Sequence, residues 1–164
     1  MRWLRLNLIL PLLFLLGVAT HLQADSNTNA ESGRILKVLP FLVDTNGTIA
    51  LSPSLFDRDA YQYYLLEHTN DVSGMRIDVQ WKAKHCSGLP LKLRLELRGV
   101  TIGGLPTEKV LEQPVESRIF HHWTTLTLSG ADYKSFGVLS AWRATLWNGN
   151  QLIGEQKSFL WSPP

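Results

Sequence analysis

The chain has 164 residues, 45% hydrophobic and 18% charged, with 16 Lys and Arg against 14 Asp and Glu. That balance excludes a disordered polyelectrolyte and leaves room for one domain with a sizeable core. A single cysteine, Cys86, excludes an internal disulfide framework.

The opening stretch, MRWLRLNLILPLLFLLGVATHLQADS, reads as a secretory signal peptide over residues 1–24. Arg2 and Arg5 form a positive start, Leu6 to Val18 an apolar run, and Leu22-Gln23-Ala24 a cleavage site before Asp25. The apolar run falls short of the ~18 to 20 residues that cross a bilayer. No cysteine at the cleavage site marks a lipoprotein. The expected destination is therefore the periplasm or the exterior, with no membrane span after cleavage. Losing Arg2 and Arg5 leaves 14 basic residues against 14 acidic ones, so the mature chain is formally neutral. Nucleic acid is thus not an expected partner.

Residues 25–33 (DSNTNAESG) are polar and read as a disordered tail, with one domain over 34–164. Ile35 to Val43 is a strand too continuously apolar to have one wet side, and Pro40 places it at an edge or a bend. Asp44-Thr45-Asn46-Gly47 supplies turn chemistry, and Asn46-Gly47-Thr48 matches a glycosylation sequon.

From Ser52 to His68 the apolar period changes to about 3.6. A helix over about residues 54–68 is expected, capped by Ser54, with Asp57 and Asp59 near its positive end. Its apolar stripe reads as Phe56, Ala60 and Tyr64, with Tyr63 and Leu66 beside it.

Met75 to Ala83 and Leu91 to Leu97 alternate strictly, each with one buried and one wet face. They either form a hairpin, with Asp78 opposite Arg94 and a loop from Lys84 to Gly88, or lie in different sheets facing each other. Thr101 to Thr107 is a loop, and Glu108 to Gln113 a short irregular edge strand closed by Pro114. Trp123 to Leu128 alternates again. Ser129 to Phe136 reads as one helical turn stopped by Gly137.

Val138 to Trp161 reads as a hairpin turning at Asn148-Gly149-Asn150. A three-residue loop pairs Leu146 with Leu152, Ala144 with Gly154 and Val138 with Leu160 on an inner face, and Arg143 with Glu155 on the outer one.

About seven short strands and one inserted helix, without a βαβ pattern, predict an all-β fold: a two-sheet antiparallel sandwich. It resembles the immunoglobulin-like or fibronectin-type class over roughly residues 34–161, without the disulfide of antibody domains. The runs ILKVLPFLVDTNGTIALSPSLFDRDAYQYYL and SAWRATLWNGNQLIGEQKSFLW are also similar to small uncharacterised exported bacterial proteins. That likeness implies export and no chemistry.

Residues with catalytic or ligating potential do not assemble into a known pattern. His121 and His122, with His85 and Cys86, have the chemistry for zinc or copper, but adjacent strand residues point to opposite faces and no spacing fits. There is no Gly-x-Ser-x-Gly elbow and no phosphate loop after Gly103-Gly104. No cofactor and no enzymatic activity are expected. The aromatic residues are the stronger signal. Parity turns Trp81 and Trp142 inward and leaves Trp147, Trp123 and Tyr61 as outward candidates for a binding face. The leading expectation is an exported β-sandwich module that acts by protein–protein interaction. The alternatives are a small carbohydrate-binding module using those rings, which would take a polysaccharide, and, more weakly, a periplasmic metal-binding protein.

Overall fold

A computed structural model describes residues 31–86, 90–116 and 121–161. The expected signal peptide, most of the expected tail and the tip of the Lys84 to Gly88 loop lie outside the described residues.

The domain is an antiparallel two-sheet sandwich of immunoglobulin-like architecture with an inserted helix. One sheet holds three strands in the order β1 (Ser32–Asp44), β2 (Val72–Lys84) and β5 (His122–Ser129). The other holds four, in the order β4 (Pro106–Val115), β3 (Leu91–Val100), β6 (Val138–Asn148) and β7 (Gln151–Lys157). Helix α1 (Leu55–Glu67) connects β1 to β2 through a 3₁₀ turn at Thr69–Asp71, and the short α2 (Gly130–Phe136) leads into β6.

The alternating strands build the core. Ile77, Val79 and Trp81 of β2 face Leu93, Leu95 and Leu97 of β3 across the sandwich, all at most 1% exposed. This decides between the two arrangements open to these strands: they lie in opposite sheets. Their charges are satisfied along each strand instead of between them. Arg76 pairs with Asp78 at 2.8 Å, and Arg94 with Glu96 at 2.9 Å. The Trp81 indole N–H, buried in the core, donates to Thr124 Oγ1 at 2.8 Å, which satisfies a donor that burial would otherwise strand.

Strand β1 begins at Ser32, two residues ahead of the expected domain start, and is an edge strand, as Pro40 suggests. Its first turn is tied down by Glu31, whose Oε2 accepts from the buried Asn148 Nδ2 at 2.5 Å. Asn148 is accordingly the last residue of β6 and not part of the turn.

The terminal hairpin differs from the expected register. Gly149 and Asn150 alone form the loop, with Gly149 at φ 54°, and Leu146 pairs with Gly154 rather than with Leu152. Ala144 stands opposite Gln156, and Leu160 lies in a turn beyond β7 rather than opposite Val138. The cause is a bulge at Ile153, where the register shifts by one. It sits where β1 crosses β7: a Cβ on Gly154 would lie 2.8 Å from the Gly33 carbonyl carbon. Only glycine admits that approach. Arg143 and Glu155 still meet, at 2.9 Å, but as a diagonal pair.

Helix α1 also docks by a different face than its apolar residues imply. Leu65 is its one fully buried residue, flanked by the half-buried Arg58, Tyr61 and Gln62, whereas Phe56 is 81% exposed and Ala60 and Tyr64 also face outward. The contact is polar. Leu42 N–H donates to Gln62 Oε1 at 2.7 Å, and Gln62 Nε2 donates to the carbonyls of Leu42 and Ile49 at 2.9 and 2.8 Å. One side-chain amide thus completes the open edge of β1 as a strand partner would. The Arg58 guanidinium lies 5.2 Å from the centre of the Phe41 ring.

Candidate functional site

The docking of α1 against β1 leaves a cleft at one end of the sandwich. It measures about 480 Å³ and lies between α1, the end of β1 and the junction of α2 with β6. Phe41 and Leu42 of β1, Met75 of β2, Tyr63 and Leu66 of α1 and Val138 of β6 line it. Tyr63, Leu66 and Val138 are 63%, 61% and 66% exposed, so the rim is apolar as well as the floor.

Val138 reaches this rim through a backbone irregularity. Strict alternation would turn it inward with Leu146 and Ala144. Instead β6 carries an extra residue, Ser140, between Leu139 and Ala141, where its pairing with β3 shifts by one. The bulge reverses the parity of the first residues of β6 and turns Val138 out. Tyr133 of α2 also lines the cleft, and burial raises the pKa of its phenol. The polar lining is sparse, and Asp59 within it pairs with Arg58 at 2.8 Å.

On the other side of α1 a second, more open and more polar cleft of about 610 Å³ surrounds Asp44. Asp44 is the organising residue of the turn after β1. Its Oδ1 accepts from the N–H groups of Asn46 and Thr48 at 2.8 and 2.7 Å, and its Oδ2 accepts from the Tyr61 hydroxyl at 2.7 Å. The Thr48 amide and then Tyr61 hold the carboxyl below the usual aspartate range. The same hydrogen bond, with burial, pushes the Tyr61 phenol up to about 12. Tyr61, Tyr64 and His68 form a ring column along the helix, with Tyr61 and Tyr64 centred 5.9 Å apart at 6° and Tyr64 and His68 at 4.0 Å and 15°. Tyr64 donates to Asp71 Oδ2 at 2.7 Å, and that bond raises its phenol pKa. Both hydroxyls are therefore engaged by the protein's own carboxylates, and the stacked faces lie against one another.

The three aromatic candidates are not brought together. Trp123 is 49% exposed on the outer face of the three-stranded sheet. Trp147 lies on the outer face of the four-stranded sheet, on the opposite side of the sandwich, half-buried, with its indole N–H donating to Thr145 Oγ1 at 2.9 Å. Tyr61 belongs to the helical column. Among the described residues no ring stacks on either tryptophan. Around Trp147 the outer face is a run of ion pairs, Glu112–Arg94–Glu96–Arg143–Glu155, at 2.9 to 3.5 Å. Farther along β3, the Arg98 guanidinium lies 4.1 Å from the centre of the Trp161 ring.

The histidines are likewise separate. His122 lies against Trp81, ring centres 5.2 Å apart, and His121 is exposed. Cys86 is half-buried and its Sγ donates to the Lys84 carbonyl at 3.3 Å; burial raises its pKa, so it is not an activated thiolate. Among the described residues no three His, Cys, Asp or Glu side chains converge as metal ligands.

The apolar cleft is the feature that sequence patterning misses. Its two determinants, the bulge at Ser140 and the polar docking of α1, leave no apolar periodicity of their own. Comparison with protein-family models, curated proteins and solved structures finds no match for this chain.

Proposed function

We propose that this is an exported, non-enzymatic interaction module that seats an apolar segment of a protein partner in the cleft between α1 and the α2–β6 junction. The observation that carries the reading is the exposed rim of Tyr63, Leu66 and Val138 around a floor made by Phe41, Leu42 and Met75. Apolar side chains gathered at a concave surface are characteristic of binding sites, whereas isolated ones are ordinary surface. Burying one further leucine-sized side chain there would contribute roughly 1.5 to 3 kcal/mol, enough to anchor a partner. The signal-like leader supports action in the envelope or outside the cell.

Affinity capture from the native envelope with the wild-type domain and with Leu66→Glu and Val138→Glu tests this. Both positions are largely exposed, so the substitutions leave the core intact. A protein retained by the wild type and lost by both variants is the expected result. Equal retention by all three places the partner elsewhere. A polysaccharide array run in parallel covers the carbohydrate alternative, for which Trp123 is the exposed ring; binding there that Trp123→Ala abolishes would replace the present reading.

A further inference from the structure

The two sheets have four edge strands, and three of them are guarded against pairing with another chain. Strand β1 has Pro40, a bulge next to Lys37 and the Gln62 amide over Leu42. Strand β4 has prolines at positions 106 and 114 and the charged Glu108, Lys109 and Glu112. Strand β7 is bulged at Ile153 and carries Glu155 and Lys157. These are the devices by which natural sheets blunt their edges.

Strand β5 has none of them. Its eight residues, HWTTLTLS, include no proline, no lysine and no carboxylate, and it pairs with β2 from Trp81–His122 to Gly74–Ser129 without a register shift. Among the described residues, no backbone group hydrogen-bonds to its other edge. An edge of this kind is a template for an extended chain, because a strand can pair with its alternating N–H and C=O groups along all eight residues.

We infer that this edge pairs with β5 of a second copy of the chain, antiparallel about a two-fold axis at Thr125, so that two three-stranded sheets become one of six. The strand is complementary to itself in that register. Trp123 falls opposite Thr127 of the second copy, Thr125 opposite Thr125, and Thr124 opposite Leu126. Aromatic–β-branched and Thr–Thr pairs are favourable across strands, and no like charges meet. The register also covers the Trp123 ring, 49% exposed in the single chain. An interface of this kind is isologous and closes at two.

The test is sedimentation of the wild type and Thr125→Lys over a range of concentrations, with amide hydrogen exchange on β5. Within one chain the new lysine lies beside Asp78, which already accepts from Thr125 Oγ1 at 2.7 Å, so folding tolerates it. Across the axis two lysines face each other. The expected result is a concentration-dependent wild-type dimer whose alternate β5 amides gain protection, weakened roughly tenfold or more by Thr125→Lys. Thr127→Glu, which stands opposite Arg76 within its own chain and sets a carboxylate against the Trp123 ring of the second copy, supplies the same reading should the first variant fold poorly. A wild type that stays monomeric at all concentrations overturns the inference. So does a dimer unchanged by both variants, or β5 protection that arises only with a strand from a different protein.

Discussion

Replacing Gln62 by alanine removes three hydrogen bonds at once, leaving Leu42 N–H and the carbonyls of Leu42 and Ile49 without their partner. A net hydrogen bond contributes about 0.5 to 1.5 kcal/mol, and these groups are only partly shielded from water, so Gln62→Ala should cost about 2 to 3 kcal/mol. Gln62→Glu is the sharper probe. It keeps an acceptor for Leu42 N–H but points a carboxylate at two carbonyl oxygens, which raises the new carboxyl's folded-state pKa above its unfolded value. Relative to wild type the variant should therefore be weakest at neutral pH and should recover as pH falls through that raised pKa. Urea unfolding at several pH values, with hydrogen exchange at Leu42, measures both effects. A Gln62→Ala loss below about 0.5 kcal/mol, the size of an ordinary surface change, would refute the edge-capping role. So would a Gln62→Glu deficit that does not vary with pH.

Other consequences follow from particular contacts. Gly154→Ala should destabilise by roughly 1 to 3 kcal/mol, because its Cβ would press on the Gly33 backbone at 2.8 Å; an unchanged urea midpoint would show that β1 and β7 can separate freely. Asp44 has a folded pKa below its unfolded value, so its contribution is present above the unfolded pKa and lost as pH falls through the folded one. The stability gap between wild type and Asp44→Asn should accordingly narrow on acidification, and a gap constant with pH would contradict the hydrogen-bond assignment. In a spectrophotometric titration the Tyr61 phenol should ionise near 12, and Tyr61→Phe should remove that phase. Loss of absorbance change at ordinary tyrosine pKa in that variant would mean Tyr61 is not bonded to Asp44.

Much of the fold was legible because strict alternation in β2, β3 and β5 admits one inner face each, and because Gly137, at φ 80°, stops α2 where the sequence places a breaker. The sheet partners of β2 and β3 were not legible from charge, since Arg76–Asp78 and Arg94–Glu96 satisfy themselves along the strand. The hairpin register was hidden because its bulge answers to a distant strand: Gly154 is where β1 crosses. The buried stripe of α1 was misread for a related reason. Apolar periodicity identifies a face that docks on apolar surface, and α1 docks on a strand edge through Gln62. Of the candidate site, Trp123 was placed outward by parity alone, whereas the cleft depends on Val138, whose orientation is set by one inserted residue in β6.

If the apolar cleft is where a partner binds, a cross-linker placed at its rim must capture that partner. A photo-reactive residue introduced at position 66 or 138, with the exposed position 151 at the opposite end of the β6–β7 hairpin as a control, tests it in the native envelope. The expected result is that the same protein is cross-linked from both cleft positions, is not cross-linked from 151, and competes away with added wild-type domain. Equal yields from all three positions, or an adduct from 151 alone, would refute it.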